Sequence, residues 1–245
     1  ARKKDGFLNI ISIFSFIGIS LGVAVLIIVM SVMNGFRTEL INKIIGFNPH
    51  LIIKPYENKI ELEKLNYQDL KLISKNLLFS NSGEAIIIKK DLTKGIILRG
   101  YSKNDFSKLD FVKDQKFLGS RNSLSKNYIS IGKELSFSLD VQIGDDITIM
   151  SPSGIESIIG NLPKQKTFTI MSLFESGLID FDNNIAFVNL STLEDFFGFE
   201  EKDRNLEIYL KNPSNIENQK MIIQKIFNNE FIYSWSDMNR SLFSA

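Results

Sequence analysis

The sequence has no cysteine and a single histidine, His50, among its 245 residues. Without thiols there is no disulfide framework, no cysteine-ligated zinc or iron–sulfur site and no cysteine nucleophile. One imidazole also excludes most histidine metal sites. Charge is missing locally: from Gly6 to Phe36 no residue is charged. Over the whole chain 29 Lys+Arg balance 28 Asp+Glu, which implies no nucleic-acid surface. A glycine-rich phosphate loop is absent as well.

What is there begins with that uncharged stretch. As a helix it would reach roughly 46 Å, more than the ~30 Å hydrocarbon core of a bilayer. A secretory signal peptide would have an apolar region of about 7 to 15 residues and a small-x-small cleavage site, and neither is present. The segment therefore reads as a transmembrane helix. Arg2, Lys3 and Lys4 precede it, and Arg37, Glu39 and Lys43 follow; the basic bias places the N-terminus in the cytoplasm and the rest outside. Gly18 and Gly22, with Ser15 and Ala24 nearby, form a small-xxx-small face suited to close helix packing. The same glycines match a GxSxG nucleophile elbow, but an elbow requires a strand-to-helix turn in a soluble sheet. Apolar residues at 36, 40, 41, 44 and 45 extend the helix beyond the bilayer, and Gly46 and Pro49 stop it.

Beyond the helix, apolar runs between turn residues predict strands at 50–54, 84–90, 95–101, 128–131, 146–150, 167–174, 184–189, 206–210 and 231–234. Helical spacing falls at 67–77, 133–139, 191–197 and 216–227. The two types mix without strict alternation, so an α+β fold is expected. No catalytic constellation emerges. Asp180, Asp182 and Asn184 imitate the start of a calcium loop, but Ile185 stands where glycine is needed and Ser191 where the bidentate Glu belongs. Asp145 and Asp146 follow Gly144 before a strand, as turn carboxylates do. His50 has no carboxylate or hydroxyl partner in motif spacing and reads as a locally satisfied histidine. With no metal or catalytic residue assigned, the outer part reads as a binding and transmission module.

One contiguous stretch carries more. The run from Ile17 through Ser31-Val32-Met33-Asn34-Gly35-Phe36, followed by Ile45-Gly46-Phe47-Asn48-Pro49-His50, resembles the first membrane helix and helix exit of the LolC/LolE permeases of the lipoprotein-releasing ABC transporter. Weaker blocks are similar too: Ile131-Gly132-Lys133-Glu134-Leu135 with Leu139 and Gly144-Asp145; Gly160, Pro163, Lys166 and Phe168 with Phe174, Gly177 and Asp182; and Trp235, Asn239, Leu242 and Phe243. The first of these blocks is shared with MacB-type permeases.

The resemblance implies a transmembrane helix followed by a two-subdomain, MacB-like periplasmic domain. Residues 1–46 would be the cytoplasmic tail, helix and extension. Residues 47–115 with 185–236 would form a membrane-proximal subdomain, 116–184 an inserted distal one, and 237–245 the entry to a second membrane helix. Opening without Met and stopping at Ala245, the chain reads as an N-terminal fragment of such a permease.

In function, the resemblance implies a subunit in the bacterial inner membrane that extracts acylated lipoproteins and passes them to a periplasmic lipoprotein chaperone. It would work with a second permease subunit, identical or paralogous, over a cytoplasmic ABC ATPase dimer. ATP and Mg belong to that ATPase, and this chain needs no cofactor. Val29, Met30, Met33, Phe36 and Leu40 are expected to line an acyl-chain cavity, with Gly18 and Gly22 packing against another helix. Residues 151–166 are expected to be a connection without structure of its own that contacts the chaperone through Pro152, Ile155, Ile158, Ile159, Leu162 and Pro163. Ile158 stands where the family's hook commonly has proline. The alternatives are a MacB-like efflux or mechanotransmission permease, a membrane-anchored sensor domain and a membrane-tethered periplasmic enzyme.

Overall fold

A computed structural model describes residues 2–239 apart from residues 63–66, 122–123, 158–159, 214–215 and 229. The chain divides into two units, Ala1–Lys43 and Ile44–Ala245.

The first unit is helix. Helix α1, Arg2–Phe47, is continuous, and its part from Asn9 onward is long and apolar enough to cross a membrane. With no charge to solvate between residues 6 and 36, such a surface is at home only in lipid or against other apolar helices. The helix stops at Phe47, one residue past the expected end. There Asn48 N–H closes the last turn onto Ile44 O at 2.9 Å, and Pro49 offers no N–H to continue.

In the second unit, the elements after α1 are β1 (Leu51–Lys54), α2 (Tyr67–Ile73), β2 (Ser74–Lys89), β3 (Leu92–Tyr101) and two one-turn helices, α3 (Lys103–Phe106) and α4 (Asp110–Lys113). Next come β4 (Leu118–Gly119), β5 (Tyr128–Gly132), α5 (Lys133–Leu139), β6 (Asp146–Ser157), β7 (Gly160–Phe174) and α6 (Ile179–Asn184). The described chain closes with β8 (Ile185–Asn189), α7 (Leu190–Phe197), a 3-10 turn (Glu201–Asp203), β9 (Asn205–Leu210), α8 (Ile216–Ile226), β10 (Phe231–Ser234) and α9 (Trp235–Met238). This is the expected α+β composition.

Among the described residues ten strands join one mixed sheet in the order β10-β1-β9-β2-β3-β8-β5-β7-β4, and β6 pairs with both β2 and β7. The path β2-β3-β8-β5-β7-β6 therefore returns to β2 as a closed circuit. Strand β2 makes this possible by changing partners: Ser74–Ser80 pair with β9, and Ile86–Ile88 pair with β6. Alternating side chains of the circuit, among them Ile87, Leu98, Ile129, Ile149, Phe168 and Val188, form one core under α5 and α7. A second, aromatic core gathers Phe47, Tyr101, Phe106, Phe111, Phe174 and Phe187. Strands from 47–115 and 185–236 pair at β1–β9, β2–β9 and β3–β8, and strands from 116–184 join them at β2–β6 and β5–β8.

The expected structureless connection at 151–166 is corrected. Backbone pairing continues through Gly154↔Pro163, Ile155↔Leu162, Glu156↔Asn161 and Ser157↔Gly160, so β6 and β7 form a long hairpin. Pro152 falls where the register shifts between Met150 and Gly154, a bulge position that dispenses with a ladder N–H. The prolines and glycines that read as loop signals are accommodated within a ribbon.

One close approach fixes how α5 and α6 meet. Gly132, which caps α5, lies so tightly against the Asp182 backbone that a Cβ there would collide with main-chain atoms. Backbone cannot swing aside as a side chain tip can, and overpacking of this kind costs roughly 1–3 kcal/mol. Gly132→Ala is thus expected to lower the melting temperature of the domain by several degrees. Gly95→Ala, where a Cβ meets nothing, should leave it nearly unchanged; equal behaviour in a thermal melt would contradict the packing.

Candidate functional site: the helix exit and the paired hairpin

Within the second unit, the last turn of α1 and the residues just after it are held by two sets of contacts. The first is apolar. Phe47, the last residue of α1, is 2% exposed. Its ring lies 4.8 Å from that of Phe111, 5.3 Å from Phe181 and 5.6 Å from Phe174.

The second set is polar and buried. Glu207 on β9 points into the interior, where its carboxylate accepts from Ser80 Oγ at 2.6 Å, Arg99 Nη2 at 3.0 Å and Tyr101 OH at 2.7 Å. Tyr209 OH completes the set at 3.3 Å. Arg99 on β3 also donates to Tyr101 OH at 2.6 Å and to Asn48 Oδ1, just past α1, at 3.3 Å. Burial opposes the charge on Arg99, but Tyr101 and Glu207 outweigh it and raise its pKa. Burial pushes the Tyr101 and Tyr209 hydroxyls upward, so both remain protonated donors. An ion pair so enclosed holds only because each lone pair is occupied.

His50 ties the same junction. Its main chain donates to Ile208 O at 3.0 Å and accepts from Trp235 N at 3.0 Å. Its Nδ1 accepts from Leu210 N at 2.7 Å, and its Nε2 lies 3.2 Å from Ile45 O in the last turn of α1. A carbonyl can only accept and an amide N–H can only donate, so the ring is the neutral Nε2–H tautomer. Burial lowers the His50 pKa, in keeping with that form. The local bond expected for His50 is present at Ile45 O, and a second one joins it from the Leu210 amide, 160 residues away in sequence.

The residues expected to line an acyl-chain cavity lie on α1. Val29, Met30, Met33 and Phe36 are between 53% and 63% exposed, whereas Leu40 is half-buried. Residues 29, 33, 36 and 40 share a helix face, as their spacing requires. Around Gly18 and Gly22 an added Cβ would meet no neighbouring atom. In the hairpin Pro152 and Pro163 are exposed. Ile155 and Leu162 are backbone partners across the ribbon, and Ile158 and Ile159 lie outside the described residues. Of the calcium-like run, Asp182 is otherwise engaged: it is buried and accepts from Ser176 N at 2.7 Å.

Sequence reasoning did not single out Arg99, Glu207 or Tyr101. A signal was present, since each of the runs Ile97-Leu98-Arg99-Gly100-Tyr101 and Leu206-Glu207-Ile208-Tyr209-Leu210 carries one charge inside an apolar strand. Two lone charges of opposite sign in buried strands call for one another, here across β2, which lies between β9 and β3.

A helix long and apolar enough to cross a membrane, followed by a mixed α+β domain, is the class of protein that the fold defines. The chain belongs to the family of the MacB-like periplasmic core domain, whose model matches residues 12–226. It is 26% identical over 252 aligned residues to the lipoprotein-releasing system transmembrane protein LolC of Neisseria meningitidis serogroup B, covering all of this chain and 60% of that protein. It is 31% identical over 245 aligned residues to the LolC protein of Buchnera aphidicola subsp. Schizaphis graminum, covering 98% of this chain and 60% of that one. The chain thus spans about 60% of the length of these relatives. The crystal structure of the periplasmic region of MacB from Actinobacillus actinomycetemcomitans aligns over 82% of this chain and 95% of its own, with a TM-score of 0.43 and 9% identity.

Proposed function

We propose that the chain is part of an inner-membrane permease subunit of an ABC transporter that extracts outer-membrane-destined lipoproteins and hands them to a periplasmic chaperone. The observation that carries this reading is the likeness to LolC proteins along the whole chain, apolar helix and outer domain together. Arg2, Lys3 and Lys4 put the N-terminus in the cytoplasm and the main domain in the periplasm. Gly18 and Gly22 receive a helix of the second permease subunit, identical or paralogous. Each buried methylene of an acyl chain is worth ~0.8 kcal/mol, so extraction takes an apolar reception site and external work. Val29, Met30, Met33, Phe36 and Leu40 supply the first, Met being pliable enough for chains of varied shape. An ATPase dimer on the cytoplasmic side, with its own ATP and Mg, supplies the second. In the outer domain, residues 47–115 with 185–236 act as the membrane-proximal part and 116–184 as the distal part. The distal β6–β7 ribbon contacts the chaperone through Pro152, Ile155, Ile158, Ile159, Leu162 and Pro163.

One set of experiments on the assembled transporter tests this. Photo-crosslinkers at positions 33 and 36 are expected to capture lipoprotein acyl chains, and Ile158→Ser with Ile159→Ser to abolish chaperone pull-down at unchanged melting temperature. Capture only from positions 27 and 31 would refute the cavity. Undiminished pull-down, or loss accompanied by unfolding, would refute the ribbon contact.

A further inference from the structure

We propose that His50 is a proton-operated latch between the end of α1 and strand β9: neutral, it holds the two together, and protonated it lets go. The inference stands apart from the transport reading, since it rests on the junction alone.

The geometry makes the two protonation states unequal. The neutral ring uses both nitrogens, accepting from Leu210 N at Nδ1 and presenting Nε2–H to Ile45 O. Leu210 N–H lies beyond the last β1–β9 pair, Leu51↔Ile208, so the imidazole stands in for a strand that has ended. Adding a proton puts N–H on Nδ1, face to face with the Leu210 N–H. Two donors at 2.7 Å repel, and the bond becomes a buried mismatch. No rotation of the ring restores it, because the cation has no acceptor.

The charges around the ring do not rescue the cation. From β2 Lys75 disfavours it and from α4 Asp110 favours it, but these two neutralise each other as an ion pair at 2.7 Å. On β3 and β9, Arg99 and Glu207 are committed to one another, and Tyr209 offers the ring 5.9 Å away. Burial is the largest influence and disfavours the charged form. A base whose folded pKa lies below the unfolded 6.5 gives stability that is complete above 6.5. That stability is lost as pH falls from there through the folded pKa. The latch is thus shut at neutral pH and opens in acid.

Hydrogen–deuterium exchange on the full chain in lipid nanodiscs tests this, with protection expressed relative to unstructured-peptide rates so that intrinsic pH effects cancel. Between roughly pH 7.5 and 5, segments 44–50 and 206–211 should lose about tenfold in protection, the order expected for one buried hydrogen bond turned into a mismatch. His50→Gln, which can accept and donate without titrating, should hold its protection across the same range. A pH-invariant wild type, or an equal loss in His50→Gln, would overturn the proposal. Because the chain has one histidine, 15N-histidine labelling gives a second reading that needs no variant. It should report the Nε2–H tautomer at neutral pH and a titration midpoint that coincides with the loss of protection. Protonation with protection intact, or no protonation while protection falls, would equally overturn it.

Discussion

Glu207→Leu is expected to lower the melting temperature of the α+β domain by on the order of 10 °C. The substitution leaves the Arg99 guanidinium, whose side chain is 10% exposed, in the interior with the Tyr101 hydroxyl and the Asn48 amide oxygen. Breaking a buried pair by removing one partner costs roughly 3–5 kcal/mol, and in a domain of this size each kcal/mol shifts the midpoint by about 2–4 °C. Arg99→Met should do comparable harm by stranding the carboxylate. The decisive expectation concerns the double variant: with both charges gone, Arg99→Met/Glu207→Leu should be more stable than either single variant. The desolvation penalty disappears together with the attraction it opposed. Thermal melts of the four proteins form a double-mutant cycle; additive losses would mean that the two groups act independently and would contradict the geometry.

Phe47→Ala should be the other severe change, at about 3–5 kcal/mol. Its ring fills the space between Phe111, Phe174 and Phe181. Phe36→Ala, eleven residues earlier on the same helix, makes an informative contrast, because that ring is 63% exposed. It should move the domain's melting temperature by little, within about 0.5 kcal/mol. A melt in which both phenylalanines matter equally would argue against Phe47 as the anchor.

Much of the fold is legible in local pattern. Strands β1, β5, β8, β9 and β10 and helices α5 and α8 are found within a residue or two of the spacing-based bounds, because each buries one face and repeats at its own period. The first half of β2 is not legible, and its start at 74–77, expected as the end of a helix over 67–77, is strand. Ser74–Gly83 is rich in polar residues, and Ser80 is buried only because Glu207 receives its hydroxyl; the partner that licenses it lies 127 residues away. The short helices α3, α4, α6 and α9 complete too few turns to show periodicity. Pro152, Gly154, Gly160 and Pro163 spell a loop locally, and only cross-strand pairing turns the segment into a ribbon. At the junction, Phe47 and His50 stand in a stretch whose family likeness was readable. Arg99 and Glu207, 108 residues apart, are joined by the sheet order alone.

That sheet order also sets when the domain can finish folding. Strand β1, the first to leave the ribosome after the helix, pairs on one side with β9 and on the other with β10, so that Leu51 lies opposite Ser234 and His50 O awaits Trp235 N. Local closure cannot supply these partners; they arrive only after nearly the whole domain has been synthesised. During translation the helix is therefore complete while β1 still waits with both edges open. Long-range pairing of this kind slows folding and prolongs exposure of apolar strand edges. The nascent chain consequently completes its apolar helix long before β1 can complete the sheet.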